Sequence, residues 1–129
     1  MAKTQAATVL ISSTSQAAGA TNRGRVDLTA VDGGIVTIRL TNGGTGPTVQ
    51  CEGRVLVAHK QTSMPTAAAE GTADTDWKQV YVIGGGSTAS ASTRGAYRFG
   101  PEVAYLEVET TGNTGQAVTV EAHVTTFVY

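Results

Sequence analysis

The chain has 129 residues, of which 40% are hydrophobic, only 5% aromatic and 15% charged, with a formal net charge of −1. That length suits one domain, burying roughly two-thirds of the surface its unfolded chain would expose. The near-neutral balance excludes the basic footprint of a nucleic-acid binder or of a protein held on an anionic membrane, and one cysteine excludes an internal disulfide framework.

The chain opens MAKTQAATVLISSTSQAA. Its apolar patch at Ala6–Ile11 is too short and too polar for a secretory core or a membrane span, so synthesis and retention in the cytoplasm, or release by lysis, is expected. Residues 1–24 read as a flexible N-terminal arm with one short strand near Thr8–Ser12, and residues 25–129 as the folded domain. Arms of this composition are often ordered by a neighbouring subunit. From Gly24 to Ala30, Val26, Leu28 and Ala30 alternate with Arg25, Asp27 and Thr29. Asp32-Gly33-Gly34 then reads as a turn, and Val36, Ile38 and Leu40 alternate with Thr37 and Arg39. The two runs predict a hairpin.

Thr41–Pro47 breaks the chain, and Val49–Lys60 reads as the longest central strand. Gly53 in its middle signals a bulge or a close backbone approach. Cys51 shares the face of Val49, Val55 and Val57 and reads as a small buried hydrophobe. Gln61–Thr75 has no periodicity, which in a compact domain marks a functional or partner-ordered loop. Strand character resumes over Asp76–Ile83, gives way to a low-complexity loop over Gly84–Gly95, and returns briefly at Ala96–Phe99. Then Ala104, Leu106 and Val108 alternate with Tyr105, Glu107 and Glu109. After TGNTGQ, Val118, Val120, Ala122, Val124 and Val128 alternate with Thr119, Glu121, His123, Thr125 and Phe127. A C-terminal hairpin turning near Asn113 is predicted, its apolar residues on one face. The whole is an all-β chain: a single β-sandwich of seven to eight antiparallel strands, with Ig-like and jelly-roll topologies both open.

Four groups of residues bear on function. In the predicted hairpin Glu107, Glu109, Glu121 and His123 share one face, where crowded carboxylates invite a divalent cation. A solvated face, or one awaiting a basic partner, is the favoured reading, and no metal or cofactor is assigned. Trp77 and Tyr81 sit at alternate positions of one strand, as a sugar-stacking platform would need, although core or interface roles are commoner. Gly84-Gly85-Gly86 lacks the helix and lysine of a phosphate cradle and reads as a flexible hairpin tip. His59 and His123 are the only histidines, and no nucleophile elbow or HExxH spacing occurs, so no catalytic residue is assigned and an enzyme is not expected. Arg23, Arg25, Arg39, Arg54 and Arg98 are scattered and interleave poorly with aromatics, unlike an RNA-binding surface.

An Ala/Thr/Gly-rich chain, a polar arm leading to a lone sandwich, and the closing block RFGPEVAYLEVETTGNTG at Arg98–Gly115 together resemble the small virion structural proteins of tailed bacteriophages, above all the head decoration (cement) proteins. The resemblance implies a non-enzymatic protein made in the host cytoplasm and carried on the virion. It would bind the major capsid protein on the outer head surface as a homo-oligomer, trimer favoured, and stabilise the capsid by bridging its subunits. Ala2–Asn22 and Gln61–Thr75 are the expected contact elements. Another virion part (tail, connector or fibre-associated) and a carbohydrate-binding module are the alternatives.

Overall fold

The computed structural model describes residues 2–59 and 77–129. Among these no helix occurs, and eight strands are present: β1 Thr4–Gln16, β2 Asn22–Asp27, β3 Gly33–Asn42, β4 Glu52–Ala58, β5 Lys78–Gly84, β6 Ser92–Phe99, β7 Tyr105–Thr111 and β8 Val118–Val128. They form two four-stranded antiparallel sheets, ordered β1-β8-β3-β6 and β2-β7-β4-β5. The fold is the β-sandwich expected, and this strand order is that of a jelly roll, which decides between the two topologies.

The expected hairpins do not form. β2 and β3 lie in different sheets, as do β7 and β8, and among consecutive strands only β4 and β5 pair. The reason is physical. Alternation dictates which face of a strand is buried, and two strands satisfy it equally well side by side or face to face. Here Leu106 and Val108 of β7 face Val118, Val120, Ala122 and Val124 of β8 across the core, joined there by Val36, Ile38, Leu40 and Val55. All of these are nearly or fully buried.

The arm expected over residues 1–24 is also different. Thirteen of its residues form β1, which pairs with β8 from Thr4↔Val128 to Gln16↔Val118 through two bulges, and Asn22–Asp27 form β2 against β7. The short strand expected near Thr8–Ser12 lies inside β1, but periodicity missed the rest because β1 is an edge strand with both faces open: ten of its thirteen residues are exposed, and only Ile11 and Gln16 are buried. Such a strand has no apolar alternation to read.

Two close approaches tie the sheets together. A Cβ on Gly24 of β2 would overlap the carbonyl oxygen of Leu10 in β1, where the two sheet edges meet. A Cβ on Gly53 would lie 2.8 Å from Ile38 Cγ2 of the opposite sheet, so the close approach at Gly53 is made by a side chain and not by the backbone expected. The open end of the core is closed by a polar network around Gln16. Its Nε2 donates to Asn113 Oδ1 at 2.8 Å and more weakly to Cys51 Sγ at 3.6 Å, while its Oε1 accepts from Asn22 Nδ2 at 2.8 Å and Thr110 Oγ1 at 2.7 Å. Asn113 Nδ2 donates in turn to the Gln16 and Gln116 carbonyls. A buried amide is tolerable only when its capacity is met in this way.

Candidate functional site

The acidic cluster expected on one hairpin face is divided between opposite faces of the sandwich. Glu107 and Glu109 point outward from β2-β7-β4-β5, whereas Glu121 and His123 point outward from β1-β8-β3-β6. Separating β7 and β8 into different sheets is the cause. Among the described residues no group of three or more His, Cys, Asp or Glu side chains is placed to hold a metal ion.

The first face carries a charge ladder. Register aligns Arg23 of β2, Glu109 of β7 and Arg54 of β4 in one row across three strands. Arg54 Nη1 meets Glu109 Oε1 at 3.2 Å and Arg54 Nη2 meets Glu52 Oε1 at 2.6 Å. Arg23 Nη1 forms an ion pair with Glu109 Oε2 and lies 3.8 Å from Glu107 Oε2. Both central carboxylates are almost fully buried, at 0% and 1% exposure. A buried carboxylate survives only with opposite charge in direct contact, and the flanking arginines supply it. Beside the ladder on the same sheet, Trp77 packs with Leu56, Ala58, Ala104 and Tyr105 in a small second apolar cluster.

That packing removes the aromatic platform. The β4–β5 register shifts between Val55 and Leu56, and one extra residue in a strand reverses which face every later side chain takes. Trp77 is therefore buried in the second cluster. Tyr81 packs instead against the main core, its ring 6.0 Å from that of Tyr97. Gly84-Gly85-Gly86 is no hairpin tip either. It ends β5 and begins the crossing to β6 in the other sheet, pinned by Asn42 Nδ2 to the Gly85, Gly86 and Thr88 carbonyls and by Gln50 Oε1, which accepts from Gly86 N at 3.0 Å. Cys51 is buried as expected, and burial pushes its thiol up to about 11. His59 is exposed just beyond β4. The Gln61–Thr75 loop lies outside the described residues.

The second face is open. Outward from β8, β3 and β6 stand Glu121, Arg39 and Arg94 in one row, and His123, Thr37 and Ala96 in the next. Arg39 Nη1 is 3.5 Å from Glu121 Oε1, and His123 Nε2 is 3.6 Å from Glu121 Oε2. A shallow depression of about 450 Å³ lies over these residues, lined at its centre by Thr37 of β3 and by Gly95 and Ala96 of the edge strand β6. Arg94 and Arg98, two strand repeats apart on β6, are exposed beside it. Neither has an ion-pair partner among the described residues. Of the arginines scattered in the sequence, Arg23 and Arg54 neutralise buried carboxylates, Arg25 stands opposite Glu107 in the β2–β7 ladder, Arg39 pairs with Glu121, and Arg98 faces solvent together with Arg94. Their spacing of four on one strand was the available signal.

No family model matches the chain, and no curated protein does. Solved structures match in fold. The cleaved adhesin domain K3 of Lys-gingipain from Porphyromonas gingivalis aligns with TM-score 0.58 and 10% identity over 88% of this chain and 72% of its own. A capsid chain of infectious bursal disease virus, Gt strain, aligns with TM-score 0.51 and 6% identity over 98% of this chain. This chain spans 33% of that viral one. A family 16 carbohydrate-binding module aligns with TM-score 0.49 and 12% identity over 91% of this chain and 76% of its own. At these identities the likeness is one of fold.

Proposed function

We propose that this is a non-enzymatic structural protein of a virion, a decoration protein that binds the outer surface of a phage head and stabilises it by bridging capsid subunits. The observation that carries the reading is β1. It is a long edge strand, exposed on both faces along most of its length, and between Lys3 and Arg23 the chain has no charged residue. Edge strands left to face water are normally blunted with charge, proline or bulges; β1 has two bulges but neither charge nor proline within it. A neutral, Thr/Ser/Ala-rich edge at the rim of a rigid sandwich is a surface suited to packing against protein. Exposed Val9, Val128 and Tyr129 add apolar area at the same edge. A homo-oligomer, most simply a trimer, would let one particle contact reinforce the next.

Deleting residues 2–20 is a poor test, because it removes β1 from the sheet and Gln16 from the core. Charge placed on the open strand is the better one. Wild-type protein is expected to co-sediment with capsid-sized particles from its native setting, and Val9→Glu with Ser13→Glu is expected to stay folded and remain at the top of the gradient. Wild-type protein that never pellets with particles defeats the virion reading. Full pelleting of the folded double variant removes β1 as the contact while leaving the reading itself in place.

A further inference from the structure

The structure carries a second exposed edge, on the far side of the same sheet from β1. β6 is hydrogen-bonded on one side only, to β3, and its other edge has no strand partner among the described residues. The strand is held firmly from within. Phe99 is buried in the core, Tyr97 packs against Tyr81, and Gly95 lets the Tyr81 ring approach the backbone closely. Ser92, Arg94, Ala96 and Arg98 all point outward and are exposed. The result is a preorganised row of backbone donors and acceptors beside two solvent-facing guanidinium groups.

We infer that the β6 edge is a docking site for an extended acidic segment of a different protein, which adds as a fifth strand to the sheet. Charge chooses the occupant. If two copies of this chain paired antiparallel through β6 about Ala96, Arg94 of one would stand opposite Arg98 of the other, twice over. Like charges directly opposite across a ladder are destabilising, and Arg94 already stands opposite Arg39 within the sheet, so that register is disfavoured for a second copy. A strand with carboxylates at two positions four residues apart meets Arg94 and Arg98 with both, and arginine binds carboxylates in a two-pronged geometry. The residue midway between those carboxylates lies beside Ala96, at the rim of the depression over Thr37 and Ala96. A medium apolar side chain fits there. Main-chain pairing supplies affinity and the alternate side chains supply selection, as in other strand-addition complexes. The inference is independent of the virion reading, since it names the chemistry of a segment and not the particle that presents it.

The test uses the full chain and a synthetic peptide of about nine residues, a normal strand length. Glu is placed at the third and seventh positions, Val at the fifth and Thr elsewhere. Calorimetric titration at low ionic strength is expected to show saturable binding that weakens as salt screens the pairs. Arg94→Glu with Arg98→Glu should lower the affinity at least about tenfold, and should bind the matching peptide in which Lys replaces both Glu residues. Methylating alternate peptide amides, which removes ladder donors and keeps the charge, should abolish binding. Both arginines are exposed, so the fold is expected to persist; Arg94→Gln with Arg98→Gln serves if charge reversal unfolds the protein. No binding of the acidic peptide overturns the inference, and so does failure of the charge swap to restore it. Equal binding of the methylated peptide also overturns it, because that outcome means adhesion to a basic patch without strand addition.

Discussion

Gln16 Nε2 donates to Asn113 Oδ1 over 2.8 Å, although the two residues are 97 positions apart in the chain. This bond joins the end of β1 to the loop between β7 and β8, at the end of the core where both sheets terminate. Removing either amide leaves the other buried and short of a partner. Gln16→Leu and Asn113→Ala should each destabilise the fold by about 1–3 kcal/mol. Urea unfolding of the single and double variants checks this, and a double-mutant cycle without coupling would show that the amides act separately.

The charge ladder predicts an asymmetric response to substitution. Glu109→Leu removes the carboxylate shared by both arginines, leaving Arg23 only its longer contact to Glu107 and Arg54 its pair with Glu52, and should cost about 3 kcal/mol, as breaking a buried pair generally does. Arg39→Leu on the opposite face breaks a half-exposed pair with Glu121 and should cost well under about 1 kcal/mol. Comparable losses in denaturant midpoint for the two would show that Glu109 is solvated in solution.

Gly24 is required by contact with a neighbouring backbone. A Cβ there would overlap the Leu10 carbonyl, and main chain cannot move aside as a flexible side chain does. Gly24→Ala should therefore part β1 from β2 and lower stability by about 2 kcal/mol or more. Gly44→Ala, with nothing within 4 Å of its Cβ, should leave the melting temperature nearly unchanged. Equal behaviour of the two would refute the close approach of the sheet edges.

Cys51 offers a test by pH. Burial raises its thiol from an ordinary 9.0 to about 11 in the folded chain. The folded state thus favours the protonated thiol. Its stabilising share is fully present below about 9 and is lost as pH rises toward about 11, where the folded thiol also ionises. Cys51→Val should flatten the fall in stability across that window relative to wild type. At neutral pH a thiol reagent should label the native protein only as fast as it opens, and urea should make labelling immediate. Rapid labelling without denaturant would show that the thiol is accessible.

Much of this architecture is legible in the sequence. The inward residues of β3, β7 and β8 follow directly from period-two alternation, because one face of each strand meets the core and the other meets water or a neighbouring charge. Gly53 announced a close approach, and Cys51 a buried thiol. Strand pairing is not legible. Leu106 opposite Val120 across a core and Leu106 beside Val120 in a ladder require the same pattern of residues, and only the packing of the whole chain selects between them. That selection parted Glu107 and Glu109 from Glu121 and His123 and so dissolved the acidic cluster. One extra residue in β5 likewise parted Trp77 from Tyr81. The full length of β1 beyond Thr8–Ser12 was hidden because an edge strand open on both sides imposes no polarity pattern on its residues. The sequence by itself determined which side chains leave water; the tertiary structure decided which strands stand side by side, and hence which charges share a face and which edges remain open.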